Sequence, residues 1–181
     1  MVIRVQIDIR YAMPEDAPQI ASLHVLSWRA SYRGVLPDSF LDGEIDQERG
    51  AAWEKFFSAP PPGAAAFVAY GENGDLMGFL AMERGNEGGY DAVIENLHVS
   101  PRAQGRGLGK RLLGRAASHL IENNGTAVCL WVYEQNRPAI DFYLRLGGRI
   151  DARGTDPFAG ADALECRIGW HDLPSLKARC G

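Results

Sequence analysis

Gly105, Gly107 and Gly109 stand at alternate positions after Gln104, immediately before a stretch with helical periodicity. A turn this bare at a helix start presents backbone N–H groups with no intrahelical acceptor, and the helix adds roughly half a positive charge at that end. Such a turn is suited to cradling a pyrophosphate. The same residues also suit a tight turn that needs glycine only for its dihedral freedom. The spacing is not the dinucleotide-binding GxGxxG, because Lys110 stands where the last glycine belongs, and the Walker pattern GxxxxGK[ST] is missing. The histidines His24, His98, His119 and His171 form no HxxxH pair and the cysteines no CxxC pair, so no metal site is expected. Cys129 lies inside the apolar run Val128-Cys129-Leu130-Trp131, and with Cys166 and Cys180 it reads as a buried or incidental thiol.

The elements that position the turn follow from hydrophobic period. Val5, Ile7 and Ile9 alternate with polar residues as a half-buried strand does. Pro14-Glu15-Asp16 opens a helix carrying Ile20, Leu23, His24 and Trp28. A second helix from about Asp46 to Phe57 ends before Pro60-Pro61-Pro62-Gly63. The runs 65–69 and 76–81 flank Asn73-Gly74-Asp75 as a hairpin. In the next strand, residues 92–99, Ile94 is out of phase with Leu97 and Val99, which predicts either a bulge near Glu95-Asn96-Leu97 or a strand buried on both faces. Leu112, Leu113, Ala116, Ala117, Leu120 and Ile121 share one helical face up to Asn123-Asn124-Gly125, and a strand follows from Thr126 to Tyr133. Together these make a right-handed βαβ crossover between neighbouring parallel strands. A short helix capped by Asn136-Arg137-Pro138 carries Ile140, Tyr143 and Leu144 and stops at Gly147-Gly148. Arg149 to Arg153 and the alternating Leu164, Cys166, Ile168 and Trp170 are the last strands, with a frayed terminus expected beyond them.

With 181 residues, 46% hydrophobic and 23% charged, the chain has the content of one folded domain, residues 1–181, that needs no disulfide or metal to be stable. No apolar run reaches the ~18 residues of a membrane span, and Arg4, Asp8 and Arg10 interrupt any secretory signal, so a soluble cytoplasmic protein is expected. A net charge of −4 argues mildly against a nucleic-acid partner.

Leu97-His98-Val99-x-Pro101 followed by Gln104-x-x-Gly107-x-Gly109, with Asn136 seven residues before Tyr143, resembles the acyl-CoA-binding signature of the GNAT superfamily of N-acetyltransferases. The resemblance spans about Ile9 to Trp170. It implies an α/β fold with a central mixed β-sheet flanked by helices, and acetyl transfer from acetyl-CoA to a primary amine by direct attack. By the same resemblance, Leu97, His98 and Val99 pair with the pantetheine arm. Gln104, Gly105, Arg106, Gly107, Leu108, Gly109 and Lys110 hold the pyrophosphate, with Arg102 as a further source of charge, and Asn136 touches the cofactor. Tyr143 protonates the departing thiolate and Glu95 acts as base. Trp28, Tyr32, Glu95 and Tyr133 line the acceptor pocket. Taken without the resemblance, Tyr143 suits a core aromatic, Glu95 a solvated strand position or a plain substrate anchor, and Trp28 a buried helix face. Ser27-Trp28-Arg29-x-x-Tyr32-x-Gly34-x-Leu36-Pro37 resembles, more loosely, a bacterial branch of small-molecule or uncharacterised members. A non-catalytic acyl-CoA-binding module and a protein N-terminal or lysine acetyltransferase are the alternatives. A homodimer is compatible with all three.

Overall fold

The computed structural model describes residues 7–156 and 163–181, so Val5 of the expected first strand lies outside the described residues. Seven strands form one mixed sheet: β1 (Asp8–Tyr11), β2 (Ala65–Tyr70), β3 (Leu76–Glu87), β4 (Tyr90–Val99), β5 (Val128–Tyr133), β6 (Arg149–Thr155) and β7 (Leu164–Trp170). Their spatial order is β1-β2-β3-β4-β5-β7-β6, antiparallel throughout except for β4 and β5, which are parallel. The crossover helix α3 (Leu108–Glu122) makes that parallel pair possible, as the βαβ pattern predicts.

Helices cover both faces. α1 (Ala17–Ser31) and α2 (Ile45–Ser58) pack Ile20, Leu23 and Trp53 against Ala66, Val68, Phe79 and Ala81. α3, α4 (Arg137–Arg145) and α5 (Leu173–Cys180) pack Leu112, Leu113, Ile140 and Leu176 against Phe67, Leu80, Ile94 and Leu130. β2 is therefore apolar at every position from Ala65 to Ala69, because both of its sides are covered.

The phase slip in β4 is a bulge. Ala81 opposes Asn96 while Met82 opposes Ile94, which leaves Glu95 as the extra residue. One added residue lets Ile94, Leu97 and Val99 share the α3 face, while His98 turns to Phe79 on the other. Pairing between β4 and β5 is confined to Ala92↔Val128 and Val93↔Cys129, and past these rungs the strands part.

Four details depart from the sequence expectation. The chain beyond Trp170 is not frayed: Asp172 caps α5 by accepting from the Ser175 amide at 2.9 Å, and Leu173, Leu176 and Cys180 are buried. β3 runs on to Glu87 and turns at Gly88-Gly89 into a second hairpin. A wide helical turn, Phe40–Glu44, precedes α2. Leu144 faces solvent, and the apolar side of α4 is completed by Leu146 instead.

Candidate active site

Where β4 and β5 part, a cleft of about 890 Å³ opens between them and runs over the start of α3 to the side of α4. Leu97, His98 and Val99 line one wall, Leu130 and Val132 the other. The glycine turn closes one end. Gly105 and Gly107 have φ of +73° and +76°, a left-handed conformation that strains any residue with a Cβ. The space that a Cβ would occupy at either one is open, so the turn leaves its backbone uncovered toward the cleft. The first intrahelical bond of α3 is made by the Arg111 amide to the Gly107 carbonyl at 3.1 Å, which leaves the preceding amides available to an anion. Lys110 and Arg145 add positive charge, and Gln104 steadies the turn by donating to the Val99 carbonyl at 3.2 Å.

Of the residues expected at a cofactor, Leu97, His98, Val99, Gln104, Gly105, Gly107, Leu108, Gly109, Lys110, Asn136 and Tyr143 all border this cleft. Arg106 and Arg102 do not: both are exposed on the outside of the turn. Asn136 also caps α4, accepting from the Ala139 amide at 3.3 Å. Sequence reasoning missed Arg145 and Phe142. The ring of Phe142 would lie 3.4 Å from a Cβ at Gly109, a proximity between α3 and α4 that no local pattern signals.

Tyr143 is buried against Phe142 and Trp170, with ring centroids 5.1 and 6.0 Å away. Burial, helped by nearby Tyr32, pushes its phenol well above the usual tyrosine range, so it stays protonated at neutral pH. Glu95 reaches solvent, yet the walls around it displace enough water, with Glu83 and Glu87 adding like charge, to push its carboxyl up to about 7. The bulge aims it where three spaces meet, for Glu95 and Asn96 border the cleft and two side chambers.

The chamber continuous with the cleft, about 310 Å³, is walled by Trp28, Tyr32, Trp131 and Tyr133, with Asp156 and Glu165 beside them. All four expected acceptor residues therefore come together here. Trp28 is not simply core: its ring carries the Arg49 guanidinium at 4.7 Å and meets Tyr32 edge-on at 5.5 Å. The other chamber, about 250 Å³, borders His24 and Trp53. An indole N–H only donates, so the 3.1 Å bond from Trp53 makes His24 Nδ1 the acceptor and leaves the proton on Nε2. That Nε2 has no hydrogen-bond partner among the described residues. Burial, reinforced by His98 and Arg49, drives the His24 pKa far below its ordinary value. His98, held by Ser27 Oγ at 2.7 Å, is pushed down to about 4 by burial and Arg49. Both rings are neutral at pH 7. The three cysteines are buried free thiols, and among the described residues no group of His, Cys, Asp or Glu is arranged to hold a metal. No helix among those residues is long and apolar enough to cross a membrane.

Comparison with known proteins agrees with this geometry. The profile of the Acetyltransferase (GNAT) family matches residues 17–148. The uncharacterized N-acetyltransferase YuaI of Bacillus subtilis is 32% identical over 94% of this chain and 96% of its own. A streptothricin acetyltransferase of Streptomyces lavendulae is 36% identical over 62% of this chain and 54% of its own. Among solved structures, the paiA N-acetyltransferase of Thermoplasma acidophilum in complex with coenzyme A superimposes with a TM-score of 0.72 at 19% identity, covering 92% of this chain and 99% of that one. A chain whose glycine turn, split parallel pair and bulged strand coincide with a family match over residues 17–148 is an acyltransferase, and it belongs to the GNAT acetyltransferase family.

Proposed function

We propose that the chain moves an acetyl group from acetyl-CoA to the primary amine of a small molecule, by direct attack with both substrates bound. The single observation behind this reading is the position of Glu95, at the bulge, bordering both the cleft and the aromatic chamber, with a carboxyl poised at about 7. The cleft fits the cosubstrate: open backbone at Gly105 and Gly107, unpaired amides at the start of α3, and Lys110 and Arg145 for the phosphates. Leu97 to Val99 offers free strand edge to the amide-bearing arm.

An alkylammonium with a pKa of ~10 is neutral in about one molecule per thousand at pH 7, a cost of roughly 4 kcal/mol for the attack. Glu95 lowers that cost by taking the proton. The ammonium proton passes to the Glu95 carboxylate and on to solvent; as the neutral nitrogen bonds to the thioester carbon, the carbon–sulfur bond breaks, the departing sulfur takes the Tyr143 hydroxyl proton, the proton shed by nitrogen passes to Glu95, and solvent restores the Tyr143 hydroxyl. A chamber of about 310 Å³ suits a small amine better than a peptide segment. Two protonic groups at the cleft favour turnover over a module that only binds acyl-CoA. A panel of amines incubated with acetyl-CoA, read by free thiol release and by mass of the product, tests the proposal. An N-acetyl product is expected, and thiol release no faster than without an acceptor across the panel would overturn it.

A further inference from the structure

Glu95 stands on β4 and Trp131 on β5, and both border the aromatic chamber. The two strands share only the rungs Ala92↔Val128 and Val93↔Cys129, so no backbone pairing runs between the carboxyl and the indole. Side chains span that gap instead. The Trp131 indole N–H donates to Glu87, the last residue of β3, which pairs with Tyr90 where the second hairpin enters β4. Glu87 in turn lies 3.9 Å from the guanidinium of Arg167, which stands directly across from Trp131 in the β5/β7 ladder. The Arg167 side chain is 13% exposed and lies over the Trp131 ring at 5.8 Å and the Tyr90 ring at 5.2 Å. It donates to Asp151 at 2.8 Å, and the other oxygen of Asp151 accepts from the Tyr90 hydroxyl at 2.6 Å. A Cβ at Gly88 would fall 2.3 Å from the guanidinium, so the hairpin turn closes directly onto Arg167. Of these residues, Trp131 alone borders the cleft and the chamber.

We infer that Glu87 is a positioning residue for acetyl transfer: anchored by Arg167, it holds the Trp131 indole at the distance from Glu95 that the acceptor must fit. The inference rests on the acetyl-transfer reading and adds to it a residue outside the substrate spaces. An indole N–H only donates, and a carboxylate acceptor makes its bond charge-assisted and directional. Arg167 keeps that carboxylate in place from the opposite strand. With the bond gone, the ring can turn about its side-chain torsions, and the acceptor must then order it on binding. An amide oxygen at position 87 can still accept from the indole, whereas a methyl group cannot.

The test compares Glu87→Ala with Glu87→Gln at about pH 8.5, where Glu95 is ionised in all three proteins and the charge that Glu87 adds beside it drops out. The acceptor is the amine that the parent acetylates fastest in the panel. In the alanine variant its KM is expected to rise at least about fivefold, with kcat and calorimetric acetyl-CoA affinity within about twofold of the parent. The glutamine variant should return that KM to within about twofold of the parent. In nitrogen-labelled protein, the Trp131 indole N–H signal, assigned by its loss in Trp131→Phe, should exchange with water faster in the alanine variant and as slowly as the parent in the glutamine variant. An acceptor KM unmoved in the folded alanine variant, or raised equally in both variants, overturns the inference while leaving acetyl transfer standing. A parent that acetylates no amine overturns acetyl transfer, and the hold of Glu87 on Trp131 then stands or falls on the indole exchange alone.

Discussion

Glu95 is placed at a cost to the fold. Its carboxyl is raised from the ordinary carboxylate value to about 7, so the folded state is penalised as Glu95 ionises; stability is full below about 4.5 and declines as pH rises through about 7. Glu95→Gln removes that penalty, and its melting temperature relative to the parent should be higher at pH 8 than at pH 4. Its kcat/KM should fall most above pH 7, where the parent's base is charged, and the parent's inflection near pH 7 should vanish. A variant profile that overlays the parent would assign the proton to another group. Tyr143 separates along a different axis. Tyr143→Phe keeps the packing on Phe142 and Trp170, so acetyl-CoA should bind within a few-fold of the parent while kcat drops by about 10²-fold, the lower part of the range for general acids. Loss of stability with kcat unchanged would make Tyr143 a packing residue only.

Among the elements, the loop from β4 into α3 was legible because its signals are local: a glycine repeat, a helical face behind it and a phase slip ahead of it. The slip even marked Glu95, since a period of two cannot absorb an odd residue without a bulge. Gly107 gives this element its test. At φ +76° an alanine costs about 1–2 kcal/mol in strain yet meets open space, so Gly107→Ala should lose stability and keep most CoA affinity. Gly107→Glu adds a negative charge at the same place and should lose CoA binding in calorimetry; unchanged affinity in the folded variant would move the cosubstrate elsewhere. The aromatic chamber was only half legible. Trp28, Tyr32 and Tyr133 were candidates by type, but Arg49 comes from α2, Asp156 from beyond β6 and Glu165 from β7, and only the folded sheet brings them together. α5 was missed because Asp172-Leu173-Pro174-Ser175 is a cap and first turn whose reason to exist, burial of Leu176 and Cys180 against α3, lies far away in sequence.

At the scale of the whole molecule, two imidazoles held neutral inside the fold set its response to acid. His24 and His98 are both depressed, so the unfolded chain binds their protons first; stability is present above about pH 6.5 and is lost as pH falls below it. For fully buried His24 the slope reaches about 1.4 kcal/mol per pH unit. Glu95 opposes this between about pH 7 and 4.5, so the denaturant midpoint should drop from pH 7 to pH 5 more steeply in Glu95→Gln than in the parent. A midpoint flat over that window in both proteins would mean the imidazoles are not held neutral.

The two rungs joining β4 to β5 have a mechanical consequence. The sheet is in effect two plates, β1 to β4 and β5 to β6, stitched across the middle by Ala92↔Val128 and Val93↔Cys129, and beyond these rungs the two facing edges have no strand partner across the gap among the described residues. A ligand lying in the tear supplies the missing rungs, so it stiffens the joint as well as occupying it. Deuterium should enter the gap-facing amides of Leu97 to Val99 and of Leu130 to Val132 quickly in the free protein and slowly once CoA is added, while the interior of β2 stays protected throughout. If CoA leaves those exchange rates untouched, the two plates are not bridged by it, and the tear is a permanent hinge rather than a socket.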